Sequence, residues 1–317
     1  MSAPGDSIIA VIGPTAAGKS DLAVALAERL GAAEIVNADS MQLYRRMDVG
    51  TAKMPVAERR GVPHHLLDVL DVTDTATVAE FQQLARAAIA DCQARSVRPV
   101  LVGGSALYLR AVLDPLEFPG TDAALREKWS QALDDQGPEA LHAELARRDP
   151  AAAASILPTN GRRIVRALEV GELTGEPFTA TMPPPVSIYP RVSVLGVDVP
   201  RDLLDERIAR RVDRMWDDGL VQEVRDLRDL GLEQGLTAPR ALGYQQVLAF
   251  LNGETTEEEA REATIAGTRR FARRQDRLFR KDPRVHWLPW DAPDLVERTL
   301  AHVGGPQAEP HDVDWNS

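Results

Sequence analysis

The amino-terminal part of the chain alternates between short apolar runs and segments with helical spacing. The run Ile8–Ile12 contains no polar residue, which is typical of a parallel strand that is covered on both faces. In the segment that follows, Leu22, Leu26 and Leu30 recur every four residues, as they would along one face of a helix. Gly31 comes directly after them and is a helix stop. This pattern predicts a strand, a connecting loop and a helix.

Two further short strand candidates, residues 34–39 and 98–104, lie on either side of a helical pattern that extends from residue 77 to about residue 95. Strands that alternate with helices of this length form parallel sheets, because each crossover helix returns the chain to the same edge. We therefore predict an α/β fold in which a parallel sheet is flanked by helices on both faces.

The pattern changes between residues 119 and 175. Ala, Leu, Arg and Glu recur there with helical spacing, and no apolar run is suited to a strand. We interpret residues 118–188 as an all-helical insertion domain within the α/β core.

The chain returns to the core pattern after the proline-rich stretch TMPPPVSIYP. Residues 192–197 form another apolar run, and long helical patterns follow at about residues 201–230 and 256–280. The predicted organisation is a core domain in two parts, 1–117 and 189–300, and a disordered tail at 301–317.

The loop after the first predicted strand, GPTAAGKS, matches the phosphate-binding pattern G-x-x-x-x-G-K-[ST]. Its backbone N–H groups and the following helix N-terminus would cradle phosphates, Lys19 would reach the terminal phosphates, and the Ser20 hydroxyl would bind Mg²⁺. The predicted phosphate-binding residues are Gly13, Pro14, Thr15, Ala16, Ala17, Gly18, Lys19 and Ser20. The match makes the sheet P-loop NTPase-like, but by itself it leaves open whose phosphates are bound and which group is transferred.

Polar side chains also follow the two other early strands. Asp39 ends the second run, and Ser105 follows the diglycine Gly103-Gly104 after the third. Because the carboxyl ends of parallel strands meet at one edge of a sheet, we expect both to lie near the phosphate loop. Asp39 is a candidate helix cap, Mg²⁺ ligand or general base, and Ser105 a candidate cap or a hydroxyl that faces a phosphate or a nucleophile.

Composition excludes several classes of protein. The 317 residues contain no run of 18 apolar residues and begin without the basic start of a signal peptide, so we expect neither a membrane partner nor secretion. The single cysteine, Cys92, excludes an internal disulfide, fits the reducing cytoplasm and lies on an apolar helical face. His64-His65 is the only histidine pair, so we expect Mg²⁺ shared with phosphates rather than a metal held by protein ligands alone.

The net charge of −11 conceals strong segregation. Residues 261–284 contain nine Lys or Arg and three Asp or Glu, and smaller arginine clusters lie at 162–166 and 207–214. Such segments either follow a nucleic-acid backbone or form solvated helix faces. The pattern alone does not separate these two possibilities.

The motifs together resemble those of one family. Their order along residues 8–290 is GPTAAGKS, NADSMQLYRRMDVGTAK, GVPHHLLDVLD, VLVGGSALY, RRIVRALEV, RALGY and TRRFARRQDRLFR. This series resembles the tRNA dimethylallyltransferases, also called tRNA isopentenyltransferases. The resemblance implies transfer of a dimethylallyl group from dimethylallyl diphosphate to N6 of the adenosine 3′-adjacent to the anticodon, in tRNAs that read codons starting with U. Diphosphate is then the leaving group, and Mg²⁺ accompanies it.

The resemblance also implies roles for individual residues. Thr15 to Ser20 would hold the diphosphate, Lys19 among them as a catalytic residue, and Asp39 would accept the N6 proton. Ser105, at a position where the family usually has threonine, would orient the donor or the base. The residues expected to contact tRNA are Asp39, Ser40, Met41, Gln42, Ser105, Arg126, Arg162, Arg163 and Arg166. The target adenine must leave its stack to enter the site, and we expect the enzyme to be a monomer.

Three other functions share some of these features. A P-loop kinase for a small molecule or nucleoside would use Asp39 to deprotonate a hydroxyl. A prenyltransferase acting on free adenine nucleotides would need the same loop, although the basic segments favour a large polyanion. A nucleotide-switched RNA-binding module would not need Asp39 beside a complete phosphate loop.

Overall fold

A parallel six-stranded sheet organises the fold, in the strand order β3-β2-β4-β1-β5-β6. The computed structural model describes residues 7–178 and 182–304. The strands are β1 (Ile8–Ile12), β2 (Ala33–Asn37), β3 (His64–His65), β4 (Arg98–Gly103), β5 (Val192–Asp198) and β6 (Val285–Pro289). All five pairings between neighbouring strands are parallel, as the alternating pattern predicts.

Two separate units of the chain contain these elements, Met1–Pro115 with Val186–Ser317 and Leu116–Pro185. In the first unit the helices are α1 (Lys19–Leu30), α2 (Val78–Ala94), α3 (Ala106–Leu113), α8 (Arg201–Asp217), α9 (Leu220–Asp229), α10 (Tyr244–Leu251), α11 (Glu257–Phe279) and α12 (Leu295–Gly304). The second unit contains α4 (Ala123–Gln136), α5 (Pro138–Arg148), α6 (Pro150–Ser155) and α7 (Gly161–Thr174).

The sheet is buried on both faces. Ile8, Ala10 and Ile12 of β1 pack against α2 and α3 residues such as Phe81 and Val112. Ile9 and Val11 point to the opposite side and pack with α1. This two-sided burial explains why β1 is apolar at every position rather than at alternate ones. A separate cluster, centred on Trp129, Leu141 and Ile164, forms the core of the second unit.

The structure differs from the sequence prediction at several points after residue 200. The helix predicted at 201–230 is two helices, because Gly219 adopts a left-handed conformation (φ 97°) that ends α8 and starts α9. Strand β6 was not predicted, and its only buried residue is Leu288. Helix α12 extends to Gly304, so the first four residues of the predicted disordered tail are helical. The rest of that tail, 305–317, lies outside the described residues.

Across both described stretches, no helix combines the length and the apolar character that a membrane span requires.

Candidate active site at the carboxyl ends of the strands

The phosphate loop connects β1 to α1 in a strained, open turn. Gly13 (φ 144°) and Gly18 (φ 93°) have backbone conformations that favour glycine, and Gly18 is the N-cap of α1. Ala16 also has a positive φ of 64°, a conformation that costs a non-glycine residue about 1 kcal/mol. Backbone strain of this kind is common where N–H groups converge on a ligand. The first turn of α1 thus offers its free N–H groups to an anion.

Lys19 folds back over this loop. Its Nζ donates a hydrogen bond of 2.7 Å to the carbonyl oxygen of Pro14. Burial, assisted by repulsion from Arg211, lowers the pKa of Lys19 to about 8, while Asp39 opposes the shift. A phosphate bound at the loop would give this ammonium a negatively charged partner in place of the neutral carbonyl.

Arg211 of α8 is the second cation of the site. Burial lowers the pKa of Arg211, and repulsion from Arg214 lowers it further, whereas attraction to Asp39 opposes the shift. Its Nη2 donates to the backbone oxygen of Thr51 at 3.2 Å, which fixes the guanidinium. Two cations, Lys19 and Arg211, therefore lie close to one carboxylate, and the excess positive charge suits an anionic ligand.

Asp39 lies just beyond the end of β2, where Asn37 fixes the backbone. The Asn37 Oδ1 accepts from the N–H of Asp39 at 2.9 Å, and its Nδ2 donates to the carbonyl oxygens of Asp39 and Leu66. Oδ1 of Asp39 accepts from the N–H of Met41 at 2.9 Å. Within residues 7–178 and 182–304, no hydrogen bond occupies the other oxygen, Oδ2. Asp39 caps no helix, so one of its three sequence-based roles is wrong.

The diglycine turn after β4 lies against both neighbouring strand ends. A Cβ on Gly103 would be 2.5 Å from the carbonyl oxygen of Ala38, and one on Gly104 would be 2.4 Å from Nε2 of Gln275. Neither position has room for a side chain. Ser105 is the N-cap of α3, and its Oγ accepts from the N–H of Tyr108 at 3.4 Å. Of the roles considered for Ser105, the geometry shows capping.

Two cavities meet at the phosphate loop. The smaller has a volume of about 100 Å³ and the larger about 1410 Å³. Their shared wall consists of Lys19, Ser20, Ala52, Met54 and Arg211. The small cavity is also lined by polar groups and by apolar side chains, among them Thr15, Asn37, Asp39, Gln42, Leu67, Val102, Phe271 and Gln275. The wall of the large cavity contains four further arginines, Arg60, Arg207, Arg210 and Arg214, together with five carboxylates.

Ser20 is the residue expected to hold Mg²⁺. It lies in the first turn of α1, is exposed and lines both cavities. A hydroxyl at the edge of an anion cradle is a suitable magnesium ligand when phosphate oxygens and water complete the coordination. The residues present therefore fit a Mg²⁺ ion shared with a bound diphosphate.

Sequence reasoning missed several residues that build the site. Arg211 was recognised only as part of a basic cluster, although Arg207, Arg211 and Arg214 recur at helical spacing. Gln275 lies between the buried residues Ala272 and Phe279 on α11, and a polar residue within an apolar stripe was the available signal. For Asn37, no signal in the sequence indicated its role.

The loop at residues 48–51 is held by a single carboxylate of α9. Glu223 accepts hydrogen bonds from the backbone N–H groups of Asp48, Val49 and Gly50 at 2.9, 2.7 and 3.1 Å. The Tyr244 hydroxyl also donates to it, at 2.5 Å. This loop carries the Thr51 carbonyl that binds Arg211, so Glu223 supports the cationic side of the site. The sequence contained no local signal for it.

The second unit contains the four arginines expected to contact tRNA. Arg126 and Arg166 both pair with Glu169, at 3.0 and 3.1 Å, and Glu169 is fully buried. These two guanidinium groups therefore stabilise a buried charge. Arg162 and Arg163, at the start of α7, are exposed.

The basic segment at 261–284 divides into two groups. Arg280 and Arg284 form ion pairs with Asp198 and Asp114. On α11, four arginines are exposed: Arg270, Arg273, Arg274 and Arg277. Arg273 lies 3.5 Å from Asp205, and the group as a whole forms a cationic face on this helix.

A cluster near the start of β2 unites three possible metal ligands, Glu34, His65 and Cys92. Arg95 binds both oxygens of Glu34, at 2.8 and 2.7 Å, and lowers the pKa of that carboxyl to about 2. Burial raises the pKa of the Cys92 thiol to about 12. The carboxylate already has a cationic partner and the thiol stays protonated, so the cluster fits a partly buried ion pair better than a metal site.

The chain is similar to a family model, to curated relatives and to solved structures. A family model described as IPP transferase matches residues 42–282. A tRNA dimethylallyltransferase from Thermobifida fusca (strain YX) is 65% identical over 301 residues, which cover 94% of each chain. The full-length tRNA isopentenylpyrophosphate transferase from Bacillus halodurans is 38% identical with a TM-score of 0.69, covering 93% of this chain and 94% of that one.

A eukaryotic dimethylallyltransferase, whose structures show it acting on tRNA, is 25% identical with a TM-score of 0.79. The similarity covers 94% of this chain and 78% of that one. The family model spans most of this chain, and this chain has the same fold as these enzymes. The phosphate loop, Asp39 and the diglycine turn converge at one edge of the parallel sheet, as the motifs predict. The chain belongs to the IPP transferase family.

Proposed function

We propose that this protein transfers a dimethylallyl group from dimethylallyl diphosphate to N6 of the adenosine 3′-adjacent to the anticodon in tRNA. The observation that carries the proposal is the small cavity, in which a phosphate loop, two cations and a carboxylate surround a partly apolar space. A donor with an anionic end and a C5 apolar end fits such a space, and the carboxylate supplies the base that an amino nucleophile requires.

The anionic end of the donor binds at the phosphate loop. Lys19 exchanges its bond to the Pro14 carbonyl for a phosphate oxygen, and Arg211 approaches from α8. Both cations are already oriented when negative charge develops on the diphosphate, so they stabilise the transition state more than the ground state. Mg²⁺, held by Ser20 and the phosphate oxygens, would supply further charge stabilisation of the leaving group.

The apolar end of the donor lies in the small cavity. Met54, Leu67, Val102 and Phe271 line it and exclude water from the allylic carbon. Water exclusion matters because an allylic carbon that loses diphosphate reacts readily with water. A ring such as that of Phe271 also stabilises positive charge that develops on this carbon.

Asp39 acts as the general base. As the bond from N6 to the allylic carbon forms, the bond from that carbon to the diphosphate oxygen breaks and its electron pair leaves with the diphosphate. The proton released by N6 passes to Asp39, whose Oδ2 has no other partner among the described residues. Met41 and Asn37 hold the rest of this group in place, so the free oxygen is presented in a fixed position.

The segment from Asp39 to Gln42 contacts the flipped target adenosine, and Gln42 is held by its own bond to the Thr51 carbonyl at 3.2 Å. We assign the exposed Arg162 and Arg163, with Arg126 and Arg166, to the anticodon stem-loop, and Ser105 to orientation of the donor or the base. The similar protein that acts on tRNA supports a tRNA partner for this one.

Incubation of the purified protein with labelled dimethylallyl diphosphate, Mg²⁺ and total tRNA tests the proposal. We expect label in tRNA, and digestion to nucleosides should place it on N6 of one adenosine. Parallel reactions replace tRNA with free adenine nucleotides, or the donor with labelled ATP and nucleosides. Label that enters only free nucleotides, or phosphoryl transfer in place of prenyl transfer, would overturn the proposal.

A further inference from the structure

Gln275 is a buried polar residue on the inward side of α11. Only 6% of it is exposed, and it lies in the same helical stripe as the buried Ala272 and Phe279. Its Oε1 accepts a hydrogen bond from the backbone N–H of Thr15 at 2.9 Å. Its Nε2 donates to the backbone oxygen of Gly104 at 2.7 Å. One side chain thus joins the phosphate loop to the diglycine turn.

The orientation of this amide is fixed by its partners. The Thr15 N–H can only donate and the Gly104 carbonyl can only accept, so a flipped amide would lose both bonds. Glutamine is suited to this position because it places one acceptor and one donor at the end of an unbranched chain. Methionine offers neither, and an ionised glutamate offers acceptors only.

The contacts continue from the diglycine turn to the general base. Gly103 is packed so closely on Ala38 that a Cβ there would lie 2.5 Å from the Ala38 oxygen. The Ala38 N–H donates to Val102 at 2.7 Å, and Asp39 follows directly in the chain. The phosphate loop and the base are therefore connected through Gln275, the diglycine turn and the end of β2.

We propose that Gln275 is a positioning residue that fixes the separation between the phosphate loop and Asp39. This inference rests on the proposed function, in which the loop holds the donor and Asp39 deprotonates the acceptor. It also means that the Thr15 N–H serves the structure of the loop, so that the anion is bound by the residues that follow Thr15. Gln275 touches neither reacting atom and acts through the two loops that it joins.

Two substitutions separate positioning from general packing. Gln275→Met keeps the length and removes both hydrogen bonds, and we expect the single-turnover rate of prenyl transfer to fall by about 10²-fold, as for other small misplacements of catalytic groups. The tRNA affinity should not change, because α11 presents its exposed arginines on another face. The rate and the affinity are measured separately, by single-turnover labelling and by filter binding.

Gln275→Glu adds a dependence on pH that a packing role would not produce. At about pH 8 the carboxylate accepts from Thr15 but cannot donate to Gly104, and we expect slow transfer. Once protonated, the carboxyl again offers one acceptor and one donor in the geometry of the amide. Burial raises the pKa of such a carboxyl, so the rate relative to wild type at the same pH should recover towards about pH 6. For Gln275→Met, the rate relative to wild type should not change with pH, because methionine has no ionisable group.

Thr264→Val is the matched control, because Thr264 is a buried polar residue of α11 whose side chain, among the described residues, bonds within its own helix, to the Ala260 carbonyl. It should transfer prenyl groups at the wild-type rate. A Gln275→Met rate within twofold of wild type, or a Gln275→Glu ratio that does not depend on pH, would overturn the inference.

Failure of the proposed function gives a different result, namely a wild-type protein that does not label tRNA. In that case calorimetry with Mg²⁺ and inorganic diphosphate decides the inference. An affinity about tenfold weaker in Gln275→Met supports a role in ordering the phosphate loop, as expected when a ligand must order its own site. Equal affinities would contradict that role.

Discussion

Two polar clusters on the same sheet differ in how their charges are satisfied. Beside β2 and β3, Glu34 is paired with Arg95 and hydrogen-bonded to His65. At the carboxyl ends of the strands, Lys19 and Arg211 are bonded to backbone carbonyls, and no carboxylate of the described residues forms an ion pair with both. The first cluster is electrostatically complete, whereas the two cations in the wall of the small cavity exceed the one carboxylate among its lining residues, Asp39.

The difference indicates whether each cluster contributes to folding or to ligand binding. A partly buried charge with a partner contributes to folding, because the pair offsets the loss of hydration. Where a partly buried group has no such partner, burial destabilises its ionised form, as the lowered pKa of Lys19 shows. That cost in free energy is recovered only when a ligand of opposite charge binds. Substitutions in the two clusters should therefore affect different measurements.

Asp39→Asn should have the largest effect. The amide keeps the shape and can still hydrogen-bond the adenine amino group, but it cannot take up a proton. We expect single-turnover transfer to slow by about 10²- to 10⁴-fold with both substrates still bound. Asp71→Asn, an exposed carboxylate paired with Arg45, is the control. A wild-type rate in Asp39→Asn would mean that another group accepts the proton.

Lys19→Ala should have the second-largest effect. We expect the rate of prenyl transfer to fall by about 10²- to 10³-fold and donor binding to weaken, because a preorganised cation that stabilises the leaving diphosphate is removed. Binding of tRNA should change little. In the wild type, affinity for Mg²⁺–diphosphate should fall as the pH rises above about 8, where Lys19 loses its proton. Calorimetry over this range measures that dependence, and a flat profile would contradict the assignment of Lys19 to the phosphates.

Reversal of two exposed charges on α11, Arg270→Glu with Arg273→Glu, tests the cationic face of this helix. We expect tRNA binding to weaken by about tenfold or more at low salt, and by less at high salt, because phosphate contacts act through counterion release. Arg29→Glu with Arg298→Glu changes the net charge equally on α1 and α12 and is the control. An unchanged affinity and salt dependence would make this face an ordinary solvated surface.

Glu34→Gln should have the smallest effect, and on stability alone. We expect the melting temperature to fall by a few degrees, because the hydrogen bonds to Arg95 lose their charge. Folding holds the pKa of Glu34 at about 2, below the unfolded value of 4.5. Its contribution is therefore complete above that unfolded value and is lost as the pH falls towards about 2. The difference from wild type should vanish over that interval, while prenyl transfer near neutral pH is unaffected.

Much of the fold and part of the site could be predicted from the chain alone. The phosphate loop is local, since strand, loop and helix occupy 23 consecutive residues, from Ile8 to Leu30, and the burial of β1 on both faces follows from its composition. The convergence of Asp39 and the diglycine turn on that loop follows from the parallel order of the strands. Strand β6 escaped prediction because it is short and mostly not buried, so no apolar pattern marks it.

The sequence determined which residues could bind phosphate and accept a proton, and the tertiary structure decided how they are held. Arg211 and Gln275 reach the phosphate loop from α8 and α11, and Ser105 is a cap because α3 begins beside it. The periodicity of a helix shows which face is buried but not what the face is buried against. Contacts between residues that are more than 150 positions apart, such as those of Gln275 and Arg211, depend on the packing of whole helices on the sheet. That information appears only when the chain is folded.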